Sequence, residues 1–142
     1  MAPEIDNSSN ELVIEDQDVL MRWVHQNYAQ LYPDGTLKKL KPGVFQLKPT
    51  DERGFSMFLQ KLMSLETCKD KARDKSISFI GIVMLIAHDF REFSLDVRQY
   101  TEYGEVAHYE VTGYCDLSED YLNDLRREWV KRASPTWTQI TH

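Results

Sequence analysis

The chain has 142 residues, a formal net charge of −6 and 42% hydrophobic residues, which predicts one domain with a real core. The acidic balance argues against nucleic acid as the partner of the chain as a whole. Cys68 and Cys115 are separate from each other and outside any CxxC pair. The sequence therefore indicates neither a zinc site nor a redox motif, and both thiols are expected to be reduced.

The N-terminal segment is strongly acidic. Residues 1–18 contain six Asp or Glu and no Lys or Arg, whereas a secretory leader begins with basic residues and continues with an apolar run. We therefore expect a cytoplasmic protein. Residues 1–14 are predicted to form a flexible acidic tail, and residues 15–142 a single α+β domain.

The first predicted element is an amphipathic helix. Leu20, Trp23 and Val24 begin an apolar stripe at helical spacing, which predicts a helix over residues 17–31. Pro33 disfavours helical geometry in the residue before it and ends the helix.

A basic β-hairpin is predicted next. Residues 33–35 form a Pro-Asp-Gly turn, and residues 36–40 and 44–48 are expected to pair across the Lys-Pro-Gly sequence at 41–43. The lysines along these strands discourage pairing with another sheet edge.

A second helix is predicted after the hairpin. Phe55, Leu59 and Met63 belong to an apolar stripe that predicts a helix over residues 51–66. The charged segment Thr67–Lys75 is expected to be an exposed linker or a frayed helix end.

The most apolar stretch of the chain is Ile77–Ala87. Its β-branched residues and Phe79 favour a strand, although a buried helix remains the alternative, because periodicity cannot separate the two in a run that is apolar on every side. Eleven residues are too few to span a bilayer, which needs roughly 20. We expect both faces of this segment to be covered.

Two alternating segments follow the central run. Residues 91–101 and 105–115 have apolar side chains at odd positions and polar ones at even positions, which predicts two half-buried antiparallel strands. A three-residue loop at 102–104 keeps the odd positions together on one face. That register puts Val97 opposite Tyr109.

The last predicted element is an amphipathic helix. Ser118 is a suitable N-cap, and Leu122, Leu125 and Trp129 form the buried stripe. Pro135 prevents the helix from continuing. The complete order is α-β-β-α-β-β-β-α, which predicts an α+β fold with an antiparallel sheet and helices packed mainly on one face.

One candidate site is polar and lies on the predicted hairpin. The register puts Asp96 opposite Glu110 and Arg98 opposite His108. Two carboxylates and an imidazole suit a divalent cation or a shared proton, although a solvated face neutralised by Arg98 is the simpler interpretation. With His88 at the end of the central run, these residues suggest a small ligand-binding, metal-binding or hydrolytic domain. No particular metal is indicated, and no cofactor is expected.

A second candidate site is basic. Thr36–Lys75 carries ten basic and five acidic residues, so this segment suits an acidic partner such as a phosphate backbone. Lys38, Lys39, Lys41 and Lys48 would contact nucleic acid, but few aromatic residues accompany them.

The leading hypothesis is a non-enzymatic regulatory or adaptor protein that works by protein–protein contact, as a homodimer. Tyr100, Tyr103, Tyr114 and Trp137 have no assigned place in the predicted core. Tyrosine and tryptophan are common in interfaces because they combine a large contact area with a polar group. These four residues are therefore the predicted interface.

Overall fold

A computed structural model of the chain describes residues 13–45, 55–100, 105–113 and 117–142. The strands in these ranges are β1 (Val19–His25), β2 (Ala29–Leu31), β3 (Leu37–Leu40), β4 (Ser56–Leu59), β5 (Phe79–Ile86), β6 (Asp96–Gln99), β7 (His108–Thr112) and β8 (Thr138–Gln139). The α-helices in the same ranges are α1 (Leu65–Lys75), α2 (His88–Arg91) and α3 (Glu119–Ala133). Six of the strands form one antiparallel sheet in the order β6-β7-β4-β1-β5-β8, and β2 and β3 form a separate pair. The predicted α+β class with an antiparallel sheet is confirmed.

The central apolar run is a strand, as predicted, and lies between β1 and β8. Val83 and Leu85 belong to the core cluster that contains α3 and α2 residues. Ile82 packs in a second cluster with Cys68 and Ala72 of α1. Because successive side chains of a strand point to opposite faces, β5 is covered on both sides, with α2 and α3 on one face and α1 on the other.

The helix predicted over residues 17–31 is wrong. This segment contains β1, a short 3-10 turn at Gln26–Tyr28 and β2. Leu20 and Val24 pack on the α3 face, and Met21 packs on the α1 face. A strand buried on both faces lacks the alternating pattern of a half-buried one, so its apolar residues match helical spacing by coincidence.

The helix predicted over residues 51–66 is also wrong. β4 occupies Ser56–Leu59, and the helix begins only at Leu65, where the Ser64 hydroxyl caps it by accepting a hydrogen bond from the Thr67 backbone N–H at 3.1 Å. The segment Thr67–Lys75, expected to be an exposed linker or a frayed helix end, is therefore the body of α1. Its buried stripe consists of small residues, which makes a helix with such a narrow apolar face hard to recognise.

The predicted pairing of residues 36–40 with 44–48 is wrong as well. β3 pairs with β2 instead, and Pro42–Phe45 forms a 3-10 turn. The turn that joins β2 to β3 contains Asp34, whose carboxylate accepts hydrogen bonds from the backbone N–H and hydroxyl of Thr36 at 2.9 and 2.6 Å. Gly35 adopts a φ of 88° there, which glycine adopts without steric cost.

The β6–β7 hairpin has the predicted alternation but a different register. Val97 pairs with Val111 rather than Tyr109, and Arg98 pairs with Glu110 rather than His108. The displacement is two residues, so each side chain stays on its predicted face. The predicted three-residue loop is wrong because the described strands end at Gln99 and resume at His108. Residues 101–104 lie outside the described residues.

The last helix begins after Ser118 and buries Leu122, Leu125 and Trp129, as predicted. The Trp129 indole N–H donates to the backbone oxygen of Asp89 at 2.8 Å, which ties α3 to α2. Beyond α3, the chain turns back and β8 pairs with β5.

Gly81 determines where the C-terminal segment packs. It lies on β5 opposite Gln139 of β8, and the Trp137 ring occupies the position that a Cβ atom at residue 81 would take. Glycine therefore permits the indole to lie directly on the strand.

We predict that Gly81→Ala lowers the free energy of unfolding by about 1–3 kcal/mol, because the added methyl group overlaps the Trp137 ring. The measurement is urea denaturation of Gly81→Ala, Trp137→Leu and the double variant. Gly81→Ala should lower the free energy of unfolding clearly less in the Trp137→Leu background than in the wild-type background. An equal decrease in both backgrounds would contradict the contact between Gly81 and Trp137.

Candidate ligand-binding cleft

Strands β1 and β4 part beyond their first two paired residues. Their register pairs Leu20 with Leu59 and Met21 with Phe58 and then stops, while β1 stays paired with β5 as far as His25. The second half of β1 therefore has one edge without a strand partner among the described residues. At this place the structure contains a cavity of about 710 Å³, here called the cleft, which is bounded by β1, β4 and α1.

Arg22 fills the gap between the two strands. Its Nε donates to the backbone oxygen of Val44 at 3.0 Å, and its Nη1 donates to the backbone oxygen of Ser56 at 2.7 Å. The guanidinium carbon lies 5.1 Å from the centre of the Phe55 ring, a cation–π distance. Burial lowers the pKa of Arg22 to about 10, because a low-dielectric environment disfavours the charged form.

A continuous row of rings borders the cleft. This row, here called the aromatic arc, consists of Tyr28, His25, Phe79, Trp23, Phe58 and His108, all of which line the cleft. The centroids of successive rings are 6.2, 5.9, 5.1, 4.9 and 5.9 Å apart in that order. These distances are typical of interacting aromatic pairs. Except for the buried His108, each ring is only half-buried, so the arc offers aromatic surface to a ligand.

The rim of the cleft carries charges of both signs. Lys71 and Lys75 contribute from α1, and Asp74 lies between them in sequence. Lys71 Nζ lies 3.1 Å from Glu105 Oε1, so an ion pair joins α1 to the segment before β7. Glu105 also accepts a hydrogen bond from the Ala107 backbone N–H, and these contacts lower the pKa of its carboxyl group. Lys71 and Glu105 largely neutralise each other at the rim.

Cys68 lies behind the arc and is fully buried. The Trp23 indole N–H donates to its Sγ at 3.3 Å, which holds the indole against α1. Burial raises the pKa of the Cys68 thiol to about 11. A thiol is nucleophilic only as the thiolate, so Cys68 supports packing rather than covalent chemistry.

The polar residues proposed from sequence divide into two groups. His108 lines the cleft, and its Nε2 lies 3.9 Å from Glu110 Oε2 on the same strand. His88 and Asp96 instead join a surface cluster around Arg91, which also contacts Asp16 at 2.9 Å. The expected juxtaposition of Asp96 and Glu110 does not form, because the register pairs Asp96 with Thr112. Within the described ranges, no three His, Cys, Asp or Glu side chains are grouped to hold a metal ion.

The basic residues proposed from sequence also separate. Lys38, Lys39 and Lys41 are exposed on or just after β3, whereas the later members of the basic segment, Lys71 and Lys75, reach the cleft from α1. Lys48 lies outside the described residues.

The proposed interface residues have different surroundings. The Trp137 ring packs on Gly81 of its own chain, and Tyr100 contacts His108 with ring centroids 5.6 Å apart. Tyr103 and Tyr114 lie outside the described residues. The homodimer stays a prediction.

Most residues of the cleft were not identified from sequence. The helix predicted over residues 17–31 contains Arg22, Trp23 and His25. In such a helix Trp23 would not share a face with Arg22 and His25. A strand over these residues would place Trp23 and His25 on one face and Arg22 on the other. The sequence predicts Phe79 only as part of the central apolar run.

Comparisons with protein-family models, curated proteins and solved structures found no match to the chain. Function must therefore be inferred from the cleft itself. In the part of the chain that the structure describes, every helix is too short or too polar to cross a membrane.

We predict that Cys68 resists alkylation in the folded protein even at pH 9, where half of an ordinary thiol is ionised, because its pKa is raised to about 11. The measurement is iodoacetamide labelling followed by peptide mass spectrometry, which reports Cys68 separately from Cys115. Denatured protein provides the control and should label at Cys68 readily. Rapid labelling of Cys68 in the native protein at pH 9 would contradict its burial.

Proposed function

We propose that the protein is a non-enzymatic binding protein that holds a small planar aromatic molecule in the cleft. The observation that carries this proposal is the aromatic arc, six rings in sequence along one wall of a single cavity. Planar molecules stack on such rings in offset or edge-to-face geometry, with about 0.5–1.5 kcal/mol per aromatic pair beyond simple area burial.

The size and composition of the cleft support the same proposal. Its volume of about 710 Å³ lies within the roughly 300–1,000 Å³ typical of small-molecule sites. Aromatic side chains with a few convergent polar groups, here Arg22, Ser56 and His108, are also typical of such sites. The proposal retains the ligand-binding alternative derived from sequence, but it uses a different set of residues, of which His108 is the common member.

Two other hypotheses from the sequence stay predictions. The homodimeric adaptor needs an interface, and one of its four residues, Trp137, packs against its own chain. The nucleic-acid binder needs a continuous basic surface, whereas the lysines of its segment divide between β3 and α1. A cytoplasmic location is part of the proposal, because small aromatic metabolites are accessible there.

The test uses 2-naphthamide, a neutral planar probe, and measures its affinity by titration with ligand-observed NMR. We predict that the probe binds and that Phe79→Ala weakens binding about tenfold, because the arc loses the ring between Trp23 and His25. Phe93→Ala is the matched control, since Phe93 is equally half-buried but does not line the cleft.

Thermal melting by circular dichroism establishes that both variants fold. Binding of 2-naphthamide that is weakened by Phe79→Ala and not by Phe93→Ala supports the proposal. Equal weakening by both variants, or failure of the wild-type protein to bind either 2-naphthamide or its anionic analogue 2-naphthoate, would count against the cleft as a ligand site.

A further inference from the structure

Arg22 is a partly buried cation with unused hydrogen-bonding capacity. A guanidinium group has five N–H donors, and the described residues accept hydrogen bonds from its Nε and its Nη1. Both acceptors are neutral backbone carbonyl groups. No described carboxylate forms an ion pair with Arg22, whereas six other arginines in the same ranges do so.

A buried cation normally has an anionic partner, because desolvation is costly unless a counter-charge offsets it. Arg22 is one of the residues that line the cleft. The guanidinium fork matches the geometry of a carboxylate or another planar anion. Among the described residues no carboxylate supplies this counter-charge, and an anionic ligand in the cleft would supply it.

We propose that the ligand of the cleft is an aromatic acid, a planar ring with one anionic group, and that this group binds the Arg22 guanidinium while the ring stacks on the arc. This inference rests on the proposed function and adds the chemical class of the ligand. Arg22 and Trp23 follow each other on β1, so their side chains point to opposite faces of the strand. Both residues nevertheless line the cleft, and the Arg22 guanidinium lies in the gap between β1 and β4, so a ligand contacts Arg22 through this gap.

The rim limits the charge that the ligand carries. Lys71 is already paired with Glu105 at 3.1 Å, which leaves Lys75 and Asp74 with opposite charges at the α1 side. A polyanion would meet the carboxylates of Asp74 and Glu105 without a surplus of cations to offset them. The cleft therefore suits a single negative charge placed deep beside Arg22.

The test compares 2-naphthoate with 2-naphthamide, which have the same ring and nearly the same shape but differ in charge. Isothermal titration calorimetry at pH 7.5 should show that naphthoate binds about tenfold to a hundredfold more tightly, as expected for charge-assisted hydrogen bonds. In Arg22→Met the affinity for naphthoate should fall to that for naphthamide. Arg127→Met is the matched control, because Arg127 is an exposed arginine of α3 outside the cleft. This variant should keep the ratio of the naphthoate affinity to the naphthamide affinity within about twofold of the wild-type ratio.

Arg22 also joins two segments of the backbone, so Arg22→Met is first checked for folding. If the variant is unfolded, the Arg22 Nε–H signal in the NMR spectrum of the wild-type protein provides the second measurement. It should shift on addition of naphthoate and stay in place on addition of naphthamide.

The outcomes separate this inference from the function on which it rests. Equal affinity for the two probes in the wild-type protein would overturn the aromatic-acid assignment while the aromatic site itself stands. A preference for naphthoate that survives Arg22→Met and disappears in Lys75→Met would also overturn it, because the anion would then bind at the rim. Failure of both probes to bind would remove the aromatic site and this inference together.

Discussion

The cleft depends on the hydrogen bonds that Arg22 donates to the backbone oxygens of Val44 and Ser56. A charged group held away from bulk water needs acceptors, and here one acceptor lies on β4 and the other in the 3-10 turn Pro42–Phe45. β1 and β4 therefore pair over two residues only and then part. If the two strands stayed paired, β4 would occupy the space where the cavity now lies.

The sheet is covered on both faces, and this determines what surrounds the gap. One face packs against α3 with the ring cluster of Phe45, Phe55, Phe90 and Trp129. The other face packs against α1 through small residues, because Cys68 and Ala72 are its buried side chains. Because these buried side chains are short, α1 lies over the sheet without filling the region above Trp23. The aromatic arc is consequently left half-covered, with charged α1 residues at its rim.

The elements that could be predicted from sequence are those with a clear pattern. β5 is an apolar run rich in β-branched residues, the β6 and β7 segments alternate strictly, and α3 has a capping serine and a wide apolar stripe. β1 and β4 were mistaken for helices because they are buried on both faces and show no alternation. The true register of β6 and β7 could not be derived, because their connection is longer than the sequence pattern indicated.

The site was harder to predict than the fold. Its members come from β1, β4, α1, β5 and the segment around β7, and they are brought together by strand order, which short-range patterns do not encode. His108 was identified because it is a polar residue within an alternating strand. Arg22 was overlooked because a single arginine on a presumed helix is normally a solvated residue, and only the structure shows that it lies between two strands.

A crystal structure of the protein with 2-naphthoate is the most direct test of the cleft as a ligand site. We predict that the Arg22 guanidinium lies between the Val44 and Ser56 carbonyl groups, that the carboxylate of the ligand is within hydrogen-bonding distance of the guanidinium, and that the naphthalene ring rests on Trp23. A structure in which β1 and β4 are paired along their full length, with Arg22 turned into solvent and the ligand bound elsewhere, would contradict the account.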